Sequence, residues 1–227
     1  MISNYMKITF RYQWRHKVYS FINVFGLAVG LTCALLIMLW VQDELSFDQF
    51  HSKSENIYRI EQDQVYDGAK YHVNVTPWPC APSWNEEIPE IIDATRAGFV
   101  GGRSFRYGEN SFVENNVVAV DPSFFTIFNF KLLRGDANSV LNDPFSVVID
   151  EKTAAKYFGE KDPIGEVLQV DAQFNLTVSG IIEQAPQNSS IKPVILVSID
   201  FAKDLGRYSE HWGANSIRSY VLLIDNP

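Results

Sequence analysis

Residues 18–41 form an unbroken uncharged stretch, VYSFINVFGLAVGLTCALLIMLWV. As a helix these roughly 24 residues span about 36 Å, more than the ~30 Å hydrocarbon core of a bilayer. Tyr19 and Trp40 stand near its ends, where amphipathic rings prefer the membrane interface. Beyond residue 42 the pattern shortens and becomes mixed. Residues 43–54 read as a helical continuation or stalk, and residues 56–66 alternate apolar and polar like a half-buried strand. The segment TPWPCAPS (76–83) holds three prolines and reads as a loop. Residues 84–94 have helical character, which Pro89 shortens or kinks. Strand-like runs follow at 94–99 and 112–120.

In the second half, Asp121 and Pro122 suit the N-cap and first position of a short helix reaching Phe128. Residues 145–149 read as a strand, Asp150 as the cap of a helix over 151–158, and Gly159 as its end. Further strands are predicted at 166–170, 176–182, 194–199 and 219–224. Helices interrupt strands irregularly, so the class is α+β: one transmembrane helix, then a mixed domain expected to hold two subdomains. No repeat of 20–50 residues is present.

The long apolar run has a rival reading as a secretory signal. A signal has a shorter apolar core, about 7–15 residues, followed by a small-residue cleavage site. Here Gln42-Asp43-Glu44-Leu45 follows, and Gly30-Leu31-Thr32-Cys33 lacks the apolar residue of a lipoprotein box. The sequence therefore predicts an uncleaved anchor.

Charge orients that anchor. The first 42 residues carry Lys7, Arg11, Arg15 and Lys17 and no acid, while the remaining fifteen basic residues face all 27 acids, a formal net charge of −12. Positive flanks stay cytoplasmic, so the N-terminus is expected inside and residues 42–227 outside. A domain this acidic does not bind nucleic acid through phosphates. Ile2, Met6, Phe10 and Trp14 form an apolar stripe beside the basic one, so residues 1–17 suit a short helix lying in the headgroup region. The interface anchors are thus Lys7, Arg11, Arg15, Lys17, Trp14, Tyr19 and Trp40.

Within the span, Gly26 and Gly30 form a small-xxx-small pair that Asn23 and Ala34 extend along one face. Such a face admits another helix closely, and Asn23 can bond across. A helix that packs against others is expected.

Residues that carry catalysis or cofactors are missing. No GxxxxGK[ST], no GxGxxG after a strand and no GxSxG occurs. His16, His51, His72 and His211 are scattered without metal-ligand spacing, and Cys33 and Cys80 imply no disulfide. No catalytic, cofactor or metal residue is predicted.

The order of segments carries a resemblance. The run 6–17, the span, VQDELSFDQFHSKSENIYRI, then DPSFFTIFNFKLLRGD (121–136), FSVVIDEKTAAKYFGEKDPIGEVLQV (145–170) and LTVSGIIEQAPQNSSI (176–191) resembles MacB-like and FtsX-like permease subunits of ABC transporters from Gram-negative bacteria. The resemblance implies an inner-membrane permease with a periplasmic core domain and further transmembrane helices downstream. It implies a second permease subunit, a separate cytoplasmic ATPase, a periplasmic adaptor or client, and work by export or by mechanotransmission. The division expected is a cytoplasmic or interfacial segment 1–17, a span 18–41, a stalk 42–55 and a periplasmic core 56–227 that is the front part of a longer protein. The helix is expected to continue into the DELSFDQF stretch and to carry displacement out of the membrane. The competing readings are a single-span sensor or periplasmic binding protein, whose output domain would follow a second span, and an anchored enzyme, against which the missing motifs speak.

Overall fold

The computed structural model describes residues 11–224. Residues 11–15 are helical, and after a break at His16 helix α1 runs from Lys17–Leu45. It is the one helix among the described residues long and apolar enough to cross a membrane. It stops earlier than the sequence suggests. Ser46 donates both its N–H (3.0 Å) and its Oγ–H (2.7 Å) to the Asp43 carbonyl, which tightens the last turn. Residues 46–50 are turns, and Asp48 takes φ 58°. The expected helical continuation to residue 54 is therefore replaced by turns and a short 3₁₀ segment, Ser54–Asn56.

From Asp48 onward the chain is one compact unit, not the two subdomains expected. The reason is a single sheet that runs through it. Its strands are β1 (Ile57–Arg59), β4 (Thr76–Pro77), β5 (Ile91–Phe99), β6 (Arg103–Tyr107), β7 (Asn110–Glu114), β8 (Val117–Val120), β9 (Leu132–Arg134), β10 (Ser146–Asp150), β11 (Val167–Val170), β12 (Phe174–Ile182), β13 (Ile195–Ser198) and β14 (Asn215–Leu223). The order is β1-β14-β5-β8-β13-β10-β12-β11-β6-β7, with β4 added to β14 and β9 to β12. The pairs β8/β13 and β10/β12 are parallel and the others antiparallel. At one edge β1 pairs with β14, the last strand, through Ile57↔Leu222, Tyr58↔Val221 and Arg59↔Tyr220. Two further strands, β2 (Gln62–Tyr66) and β3 (Ala69–Val73), form a separate hairpin.

The sheet has a core on each face, sorted by the two-residue period of a strand. Val117 and Ala119, Val147 and Ile149, Ile195 and Val197 point into one core. Val118 and Val120, Val148 and Leu196 point into the other. Central strands buried on both sides need apolar residues at every position, which is why VVAV and ILVS show no alternation. Helix α4 (Glu151–Phe158) and the four-residue α5 (Phe201–Asp204) cover the first face with Ala154, Tyr157, Phe158 and Phe201. The short α3 (Phe124–Ile127) covers the other, with Phe124, Ile127, Phe128 and Phe130.

Local signals behave as the chemistry demands at α4. Asp150 Oδ1 accepts the Thr153 N–H at 2.7 Å, a cap worth about 1 kcal/mol, and Gly159 ends the helix at φ 62°. Elsewhere tertiary contacts override them. Helix α2 occupies Cys80–Glu87, inside the proline-rich stretch read as a loop. Pro79 serves as its N-cap, a position where no N–H is missed. The strand β5 then takes over the residues read as the end of a helix. Asp121 does not cap α3; its carboxylate is taken by Arg96.

Candidate functional site

Three features could act on something outside the domain: the apolar helix, the first residues of the soluble unit, and the separate hairpin.

On α1 the residues singled out from sequence are all exposed. No residue of the helix is buried, and a Cβ placed on Gly26 or Gly30 meets nothing within 4 Å. Asn23, Gly26, Gly30 and Ala34 share about 80° of the helix circumference at 100° per residue. Thr32 Oγ1 donates to the Ala28 carbonyl at 2.8 Å, so that hydroxyl is satisfied within the helix. Tyr19 and Trp40 are exposed and lie about 32 Å apart along the axis. Lys17 Nζ stands 5.2 Å from the centre of the Trp14 ring, and Arg11 and Arg15 are exposed beside it. Lys7 lies outside the described residues, as do Ile2, Met6 and Phe10 of the expected stripe.

The first residues of the soluble unit, 48–53, are knotted into two distant loops. The Asp48 N–H donates to the Asn188 carbonyl at 2.9 Å. The Asp48 carboxylate accepts the Ser190 N–H at 2.8 Å and also the Ser190 hydroxyl. His51 is buried between Phe50, Phe128 and Phe130, and its Nδ1 accepts the Asn129 N–H at 2.9 Å. The proton of the neutral ring therefore sits on Nε2. Asn129 Oδ1 in turn accepts the Ser52 N–H and hydroxyl, each at 2.9 Å, and Lys53 Nζ donates to the Thr126 carbonyl at 2.8 Å. Burial lowers the pKa of His51, and the Asp48 charge only partly opposes this. The partners lie 73 to 142 residues apart in sequence, so no local pattern could have revealed the knot. A cleft of about 300 Å³ opens beside it, bordered by Asp48, His51, Arg59, Phe128 and Tyr220. The charged groups on its border, Asp48 and Arg59, already hold partners within the chain, Ser190 and Glu61.

The β2–β3 hairpin turns at Asp67 (φ 52°) and Gly68 (φ 77°), the two left-handed positions that favour Asp-Gly in a two-residue turn. That dipeptide is the sequence signal that could have predicted β3. One face carries a row of charges. Arg59 Nε donates to Glu61 Oε1 at 2.9 Å, and Glu61 Oε2 lies 2.7 Å from His72 Nε2. His72 Nδ1 lies 3.0 Å from Asp63 Oδ1, and Lys70 Nζ lies 2.8 Å from Asp63 Oδ2. Val65, Tyr66 and Tyr71 are exposed on the same hairpin.

Among the described residues no group of three or more His, Cys, Asp or Glu side chains is disposed to hold a metal ion. Buried titratable groups serve packing. Glu114 accepts from Lys156 Nζ at 2.6 Å and from the Tyr157 hydroxyl at 2.9 Å, and burial first, then Glu114, pushes the Tyr157 pKa up.

The MacB-like periplasmic core domain family matches residues 20–226. A domain assigned to a permease protein from Porphyromonas gingivalis is similar in structure, with a TM-score of 0.67 at 22% identity over 79% of this chain and 77% of that one. The periplasmic region of MacB from Actinobacillus actinomycetemcomitans is similar with a TM-score of 0.56 at 16% identity, covering 76% of each. At these identities the likeness concerns the fold. No curated protein matches the chain.

Proposed function

The chain belongs to the MacB-like periplasmic core domain family, and from that premise we propose that it is a permease subunit of an ATP-driven export or mechanotransmission system in the bacterial inner membrane. In this reading residues 1–17 lie at the cytoplasmic surface, residues 18–41 cross the bilayer, and the domain after them is periplasmic. The four basic residues ahead of the span and the acids behind it support that orientation. ATP hydrolysis belongs to a separate cytoplasmic subunit. The small-residue face Asn23/Gly26/Gly30/Ala34 is where another transmembrane helix, of this or a second permease subunit, comes close. A periplasmic adaptor or client receives the motion.

One observation carries the mechanical part of the reading: the knot at residues 48–53. A chain that is pulled or pushed ahead of Asp48 delivers that force to Asp48, and the bonds to Ser190 and Asn129 pass it to loops flanking the sheet. A flexible tether would absorb the same displacement. Doubly buried strands resist deformation, so the domain moves as a body once its first residues are fixed to it.

The test uses the full-length protein purified from native membranes in mild detergent. An ATPase subunit is expected to co-purify in stoichiometric amount. In the double variant Asp48→Ala/Asn129→Ala it still co-purifies, but the transport phenotype is lost. Absence of any ATPase from the preparation would overturn the permease assignment. Full transport by the double variant would overturn the force path while leaving that assignment standing.

A further inference from the structure

The β2–β3 hairpin stands outside the twelve-stranded sheet, and an isolated two-stranded hairpin is marginal in water. Its order depends on cross-strand pairs and on its base. The base is held by Gln62 Nε2, which donates to the Val75 carbonyl at 2.6 Å and to Asn215 Oδ1 at 2.8 Å, and by the Ile60 N–H bonded to the Ser219 carbonyl. Beyond the base, an antiparallel ladder from Gln62↔Val73 to Tyr66↔Ala69 joins the strands, and the charged face adds side-chain links across it. Asp63 and His72 are direct cross-strand partners, and Glu61 and Lys70 flank them diagonally.

The row Arg59, Glu61, His72, Asp63, Lys70 alternates in sign only if His72 is charged. A neutral imidazole has one N–H and one lone pair, so one of its two carboxylate contacts would set lone pair against lone pair. Both contacts, at 2.7 and 3.0 Å, are satisfied together only by imidazolium. The geometry leaves no place for a metal instead, because each ring nitrogen already faces a carboxylate oxygen at hydrogen-bond distance.

We propose that His72 is a proton-operated latch: protonated, it ties β2 to β3, and deprotonated, it lets the hairpin open and changes how Val65, Tyr66 and Tyr71 are presented. This is independent of the permease reading. The charged groups that face the ring are Glu61 and Asp63 directly, with Arg59 from β1 and Lys70 from β3 behind them. Its bond to Asp63, then that to Glu61, raise the His72 pKa above its ordinary value. A raised histidine stabilises fully below its unfolded value of 6.5 and loses that contribution as pH rises through the folded value. On the acid side, Arg59 lowers the Glu61 pKa and Lys70 lowers that of Asp63, with His72 second in both. The carboxylates thus stay charged well into acid. The latch is closed between those limits.

Amide hydrogen exchange on the full chain in lipid nanodiscs tests this, read by mass spectrometry and corrected for intrinsic rates. Between about pH 5.5 and pH 9, protection of residues 62–73 is expected to fall about threefold relative to β10 and β12, which stay constant. In His72→Gln, which cannot titrate, the hairpin is expected to show no such fall. A wild-type hairpin with flat protection overturns the proposal. So does a fall of equal size in His72→Gln.

Discussion

Arg96 grips Asp121 with three bonds: Nε to Oδ2 at 2.9 Å, a terminal guanidinium nitrogen to Oδ1 at 2.6 Å, and its own backbone N–H to Oδ2 at 2.7 Å. A further guanidinium N–H reaches the Trp78 carbonyl at 3.1 Å. Burial is the largest single influence and works against the Arg96 charge, but the bonds to Asp121 together with the charges of Asp121, Tyr208 and Asp200 outweigh it, so its pKa is raised. The pair ties β5 to the end of β8. Removing one partner strands the other charge in a site only 9% exposed. Asp121→Ala is therefore expected to cost about 3–5 kcal/mol, read from denaturant midpoints of the full-length protein. Replacing both residues with apolar side chains of similar volume should cost less than the single change. A loss under about 1 kcal/mol for Asp121→Ala would show that the arginine finds water instead.

Gly135 follows β9 at φ 100°, a conformation side chains avoid. A Cβ there would lie 2.7 Å from the Ser179 carbonyl oxygen and 3.1 Å from Gly180 Cα, both backbone atoms that cannot swing away. Gly135→Ala should destabilise by about 2 kcal/mol or more, as strain and overlap add. Gly101 has φ 82° with nothing within 4 Å, so Gly101→Ala isolates the strain alone and should cost about 1 kcal/mol. Equal losses in thermal unfolding would show that β9 shifts freely.

Two of the histidines beyond Asp48, His51 and His72, answer pH with opposite signs. His51 has a pKa lowered below 6.5 by burial. The unfolded chain then binds a proton that the folded one refuses, so stability falls as pH drops below about 6.5. His51→Asn keeps an acceptor for the Asn129 N–H and cannot titrate. It should lose about 1–2 kcal/mol of packing against Phe128 and Phe130 at neutral pH. Its stability between pH 7.5 and pH 5.5 should be flatter than wild type by urea titration. The same acid slope in both proteins would assign the loss to other groups.

Close approach at the small-residue face depends on van der Waals packing, because lipid is as apolar as the helix. Gly30→Leu puts a bulky group where a neighbouring backbone is proposed to lie. Leucine favours the bilayer, so insertion should survive. The protein is expected to be present, folded and unable to assemble or transport. Val29→Leu, about 100° around the helix, is the control. Indistinguishable behaviour of the two variants would make the helix a passive tether.

What the sequence discloses follows the range of the interaction. The apolar helix, the central strands and α4 rest on composition and on signals a few residues apart, such as Asp150 with Thr153 and Gly159, and these are read directly. Asp121 looks like a cap locally, yet a guanidinium 25 residues away claims it. The Asp48–Ser190 and His51–Asn129 contacts join residues 142 and 78 apart, beyond any periodicity. Strands β3 and β6 escape notice because polar residues dominate their exposed positions, and only the Asp67-Gly68 turn betrays the first of them. The small-residue face is plain in sequence, but its proposed neighbour is another helix, and none of the described residues lies against Gly26 or Gly30.

Because β1 lies antiparallel beside β14, with Ile57 opposite Leu222, two strands far apart in sequence lie side by side at one edge of the sheet. Across such a pair the backbones are only about 5 Å apart. A short peptide can therefore join the end of β14 to the start of β1 with little closure entropy. The sheet can then be circularly permuted by linking those two strands and opening the Asp67-Gly68 turn, without disturbing its strand order.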